Sequence, residues 1–137
     1  MEMKCVMVID ADLPAGLIAN TAAVLALTLG KEIEEIIGPT VKDGSGHPHA
    51  GITTIPIPIL KGNSQKIKEL RNKLYAEEFS DLLVVDFTNA AQTTKSYEEY
   101  IEKISTFSAN DLKCLGLALY GDKKKVNKLT GSMGLLR

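Results

Sequence analysis

A three-layer α/β/α sandwich is the fold class that this sequence predicts, on three observations. Short, nearly continuous apolar runs at residues 3–9, 81–86 and 112–120 read as strands buried on both faces. Segments with helical spacing or helix-starting chemistry follow them. The order reads β-α-β-α-β-α-β-α without an internal repeat, and such alternation builds a sheet with helices on its faces. At 137 residues the chain is expected to form one domain, 1–137, because two would each lack a proper core.

The first run ends in an acidic turn, Asp10-Ala11-Asp12-Leu13, and reads as a central strand. Pro14 suits the first turn of the next helix, where a missing N–H costs nothing. From Leu17 to Leu29 that helix is apolar on nearly every side, which predicts packing inside the domain. It is too short, and too rich in Ala and Thr, for a membrane span, so no membrane partner is expected. Residues 38–51, GPTVKDGSGHPHAG, are loop chemistry of a length that suits a lid, a binding loop or a mobile connection. In TTIPIPIL, 53–60, Ile55, Ile57 and Ile59 share one face, with Pro56 and Pro58 on the other. Proline cannot donate to a sheet ladder, so this is an edge strand or an extended arm whose apolar teeth could pack on a second copy.

Asn63 or Ser64 caps a helix that buries Ile67, Leu70 and Leu74. DLLVVD, 81–86, is the second buried strand and runs into a polar turn at 87–92. Ser96-Tyr97-Glu98-Glu99 is a capping box opening a helix with Tyr97, Tyr100, Ile101 and Ile104 on one side. Gly116, in the third buried strand, marks a close approach of backbone or partner. Gly121-Asp122 turns the chain into a last helix, 123–129, stopped by Gly131.

The formal net charge of −1 gives no global pull toward nucleic acid or membrane. Cys5 and Cys114 lie in apolar runs and read as buried thiols rather than a disulfide; with no companion cluster they make no zinc site. MEMKCVMVID runs straight into a strand and is not a signal peptide, so a cytoplasmic location is expected. Neither a Gly-x-x-x-x-Gly-Lys-Ser/Thr loop nor a Gly-x-Gly-x-x-Gly turn is present, and no cofactor is expected.

The candidate site is placed at the carboxyl ends of the strands, where ligands of open α/β sheets tend to bind. If the first two buried strands lie side by side, Asp10, Asp12 and Asp86 converge near the start of the apolar helix. Asp86 is the candidate catalytic group, a general base or an anchor for a ligand's hydroxyl or amine. Asp12, Thr88, Asn89 and Gln92 would line the same cleft, although Asp and Asn are also favoured in plain turns and caps. Asn20 and Thr21, on the apolar helix, are the next candidates: such a group faces a polar cleft, as read for Asn20 but not for Thr28, or a threonine bonds back to its own helix. His47 and His49 lack a companion carboxylate or cysteine nearby in sequence and read as solvent-facing or ligand-brushing, not as a metal site. Lys123, Lys124 and Lys125 crowd a helix's first turn, where positive charge opposes the macrodipole; they read as a solvated face or as an anion contact.

KCVMVIDADLPAGLIANTAAVLALTLG, the HPHAGI loop, VVDFTNAAQT and LGLALYGDKKKVNKLTGSMGLLR together resemble the domain-of-unknown-function family 2000, across essentially the whole chain. That family is similar in fold to the type 2 peptidyl-tRNA hydrolases, which hydrolyse the ester joining peptide to tRNA. The resemblance implies a mixed four-stranded sheet with helices on both faces, and a homodimer. The hydrolases' Gly-Lys-x-Ala-Ala-Gln-x-x-His-Ala signature falls here on residues 16–25, where the lysine has become Leu17, the glutamine Thr21 and the histidine Val24. Their Asp-Ala-Gly-x-Thr motif is met at Asp86, but its threonine position is Ala90; Thr130-Gly131 is retained. The activity does not follow from the likeness, because a leucine cannot polarise an ester or hold a phosphate.

Three functions are therefore carried forward. The first is a ligand-binding or enzymatic cleft for an unidentified small molecule. The second is a peptidyl-tRNA hydrolase acting on a tRNA-linked substrate, with Lys123 or Lys124 as a displaced cation. The third is a non-enzymatic dimeric interaction module that uses the 53–60 arm.

Overall fold

The computed structural model describes residues 2–137 and has a mixed four-stranded sheet with helices on both faces. Strand β1 (Met3–Asp10) leads to helix α1 (Ala15–Glu32). A small hairpin of β2 (Val41–Lys42) and β3 (Pro48–His49) precedes β4 (Ile59–Gly62) and α2 (Ser64–Lys73). Then come β5 (Leu83–Thr88), the single turn α3 (Asn89–Gln92), α4 (Tyr97–Ser105), β6 (Cys114–Asp122) and α5 (Lys123–Thr130). The strand order is β4-β1-β6-β5, with β4 parallel to β1, and β6 antiparallel to both β1 and β5.

Both faces of the central strands are covered, which is why β1 reads as an unbroken apolar run. Cys5, Met7 and Ile9 pack with Leu25 and Leu29 of α1, while Val6 and Val8 pack with Ile67 and Leu70 of α2 and with Val126 and Leu129 of α5. Cys5 and Cys114 belong to opposite cores and are free thiols, pushed up by burial to about 11 and about 12 respectively.

Helix α1 departs from the expectation of burial on all sides. Only Thr21, Leu25 and Leu29 are fully buried, four residues apart on one stripe, and Leu27 is 78% exposed. The outer face is rich in alanine, which costs a helix nothing in side-chain entropy and does not require burial. Thr21 donates its hydroxyl to the Leu17 carbonyl at 2.7 Å and turns its methyl onto the sheet. A Cβ added at Gly116 would stand 2.7 Å from that methyl, so the close approach marked by Gly116 is the approach of α1.

The 38–51 segment is a projecting hairpin rather than a structureless loop. Its base closes through Gly38 N–H to the Ile52 carbonyl at 2.9 Å and Thr54 N–H to the Ile36 carbonyl at 2.7 Å. There Gly51 crosses Gly38 so closely that a Cβ would lie 1.7 Å from the Gly38 oxygen. In the following arm, Ile55, Ile57 and Ile59 pack against this protein's own α1-side core. Regular pairing begins only at Ile59, since Pro56 and Pro58 have no N–H to give; the Pro58 carbonyl still accepts from Met7 at 3.0 Å. β4 is the edge strand expected, and its outer side is covered by the chain's own tail. Lys61 donates to the Gly134 carbonyl at 2.8 Å and Leu136 to the Ile59 carbonyl at 2.9 Å. No helix is long and apolar enough to cross a membrane among the described residues.

Candidate functional site

β6 lies between β1 and β5, so the two apolar strands are not neighbours. Asp10 and Asp86 are therefore separated by two strand spacings, about 10 Å, and by two residues along the strands, and do not converge. Asp10 is buried and accepts the Asp12 N–H at 2.9 Å, a turn-forming bond. Asp12 is exposed and lines a separate small hollow with Lys61, Asn63 and Lys66.

Asp86 pairs in register with Leu117, which belongs to the core beneath α2 and α5. Residues directly opposite share a face, so Asp86 turns toward that layer. Asn20 sits on α1, on the other side of the sheet, exposed to solvent. The two do not share a hollow. The helix period decides this: Thr21, not Asn20, lies on the buried stripe with Leu25 and Leu29.

Asp86 does line a groove, of about 770 Å³, along the outer edge of β5. One wall comes from α1, through Val24, Thr28 and Glu32, and the other from Ser96, Tyr97 and Tyr100 at the start of α4. That second wall is set by local chemistry. Ser96 accepts the Glu99 N–H at 3.2 Å, Glu99 accepts the Lys95 N–H at 2.8 Å, and Tyr97 meets Tyr100 edge-to-face at 5.4 Å between ring centroids. Burial pushes the Asp86 carboxyl above its ordinary range, against the opposing pull of the Arg71 guanidinium. Tyr100 is likewise pushed up, first by burial and then by the negative charge of Asp86. A half-buried carboxyl with a phenol in its field is suited to accept a ligand's hydroxyl or ammonium proton.

The remaining candidates separate. Thr88 is buried on the Asp86 face, and its hydroxyl has no partner among the described residues. Asn89 ties the end of β5 to the start of β6: its N–H donates to the Lys113 carbonyl at 2.9 Å and its Oδ1 accepts the Lys113 N–H at 3.2 Å. Gln92 is exposed. His47 and His49 stand on the projecting hairpin, and the carboxylate expected to be missing is Asp43. It meets His49 Nε2 at 2.8 Å and accepts the backbone N–H groups of Ser45 and His47. Among the described residues no cluster of three or more His, Cys, Asp or Glu is placed to hold a metal. Lys123 pairs with Glu2 at 3.1 Å, and Lys124 lies beside it in a shallow hollow with Asp122 and Asn127.

Two groups escaped the sequence reading. Thr28, which the sequence does not point toward the cleft, lines the groove. Arg71, in the last turn of α2, is only 4% exposed and donates Nη2–H to the Ala109 carbonyl, leaving Nε without a partner among the described residues. The only local signal was an arginine among lysines, next to the buried position Leu70.

Sheet, helices and groove define an α/β protein with a mixed four-stranded sheet whose one uncovered edge carries the candidate site. The chain belongs to the family described as Protein of unknown function (DUF2000), whose model matches residues 3–137. A solved protein of unknown function from Agrobacterium tumefaciens str. C58 is similar over 98% of each chain, with a TM-score of 0.88 and 23% identity, a likeness that speaks to fold alone. No curated protein matches the sequence.

Proposed function

We propose that this chain is a ligand-binding or enzymatic domain whose site is the groove along β5 and whose polar anchor is Asp86. The observation that carries this reading is a half-buried carboxyl, raised by burial, among the residues that line a groove walled by two helices. The resemblance to the type 2 peptidyl-tRNA hydrolases supports the same location. Val24, at the hydrolases' histidine position, and Asp86, at their aspartate, line this one groove. The chemistry differs, since an isopropyl group replaces an imidazole and Leu17 replaces the cation, so the groove favours binding over ester hydrolysis.

Screening the purified protein against a small-molecule library by thermal shift tests this. Hits are expected to lose their shift in Asp86→Ala and keep it in Asn20→Ala, which alters an exposed residue across the sheet. Hits indifferent to Asp86→Ala would reject the groove. The hydrolase reading retains one supporting observation, the shared position of Val24 and Asp86. Lys123 does not help it: Asp122 pairs with Met3, whereas Asp86 pairs with Leu117, five residues earlier in β6. That separation is about 17 Å along the strand. Turnover of a model peptidyl-tRNA by micromolar protein would restore it.

A further inference from the structure

The β5 edge has a hydrogen-bonding pattern that names its occupant. Met7 donates to Pro58 and Ala11 to Gly62, so the odd-numbered residues of β1 face β4. Its even-numbered residues face β6, Val6 opposite Leu119 and Val8 opposite Leu117. β6 therefore turns the backbone groups of Gly116, Ala118 and Tyr120 toward β5, where they meet Phe87, Val85 and Leu83. Val84 and Asp86 are left pointing their N–H and C=O groups outward, into the groove. Their spacing of two residues, about 6.8 Å, is the repeat of a β-strand.

We propose that the groove binds an extended peptide segment that adds as a fifth strand to β5. This deepens the assignment of the groove as a ligand site and rests on it. An unpaired edge is a template for strand addition, and β5 carries neither the proline nor the lysine that commonly blunts such edges. The opposite edge is already satisfied in this way by residues 134–136 of the chain itself. A single strand fits better than a second copy. The edge is recessed between Val24, Thr28 and Glu32 on one side and Tyr97 and Tyr100 on the other. A single strand needs only the space between these walls, whereas a second copy would bring its own pair of walls with it. The apolar and aromatic walls suit apolar side chains at alternate positions. Glu32 and Asp86, against Lys95, favour a lysine or arginine among them.

The test pans a display library of random linear octapeptides against the immobilised full chain and carries the selected sequences, synthesised, into hydrogen exchange. Binding is expected to slow exchange at the Val84 and Asp86 amides in the wild-type protein. Val84→Pro removes one outward donor from an edge position that tolerates proline, and is expected to weaken binding by about tenfold, the worth of one backbone hydrogen bond; Val84→Ala should not. Binding without slowed exchange at these amides overturns strand addition. So does slow exchange already present in the free protein and increasing with its concentration, which would give the edge to a second copy. Small molecules that bind through Asp86 while no peptide is selected also overturn it, and leave the groove assignment standing. If neither class binds, both fall.

Discussion

Arg71 and Asp86 approach the same buried region from different layers, α2 and β5, and the arginine's charge partly offsets the burial that raises the carboxyl. Cys114, opposite Thr88 in the ladder, feels both charges. Burial outweighs the arginine, so the carboxyl stays above its ordinary range, with consequences for stability.

Because the folded state raises the Asp86 pKa, it holds that proton more tightly than the unfolded chain does. Stability is therefore lost as pH rises from the unfolded value through the raised folded value. Asp86→Asn has no such loss. Urea unfolding across acid to neutral pH should show the two proteins parallel in acid and diverging toward neutrality, with the variant the more stable. Curves that stay parallel throughout would reject the raised carboxyl.

Thr88 is 1% exposed with an unpartnered hydroxyl, and an unsatisfied buried polar group costs about 1–3 kcal/mol. Thr88→Val exchanges that hydroxyl for a methyl of similar size. Chemical denaturation is expected to find the variant at least as stable as the wild type. A loss of more than about 1 kcal/mol would reveal a hydrogen bond to bound solvent at this position.

Gly116 and Thr21 set the distance between sheet and helix. Gly116→Ala forces a Cβ to within 2.7 Å of the Thr21 methyl and should cost about 1–3 kcal/mol. Adding Thr21→Ser removes that methyl while keeping the hydroxyl that bonds the Leu17 carbonyl, and should recover part of the loss. Strict additivity of the two substitutions in equilibrium unfolding would contradict the contact.

Asp43 organises the projecting hairpin. His49 first, then the His47 backbone, hold its carboxyl below the ordinary range, so its ordering effect is present above the unfolded pKa and disappears as pH falls through the lowered folded one. Asp43→Ala should speed amide exchange at Ser45 and His47 without moving the midpoint of global unfolding, because residues 39–50 are exposed. A fall in that midpoint would mean the hairpin is coupled to the core.

The sequence was most informative where neighbours in the chain decide the outcome. Asn63 caps α2 by accepting the Lys66 N–H at 2.8 Å, and Ser96 opens α4, each as its residue type dictates. It was less informative about α1, where alanine and leucine both read as apolar although only one stripe meets the sheet. The 38–51 segment looked formless because its order comes from Asp43 bonding two and four residues ahead, and from two glycines crossing at its base.

Local residue chemistry by itself determined the succession of the sheet's four strands and the main helices, and Asp86 as a residue to watch. Tertiary structure alone decided its company. Strand order is a long-range choice, and placing β6 between β1 and β5 separated Asp10 from Asp86. The side of the sheet on which a residue emerges is fixed by pairing register, which put Asp86 across from Asn20 and beside the tyrosines of α4.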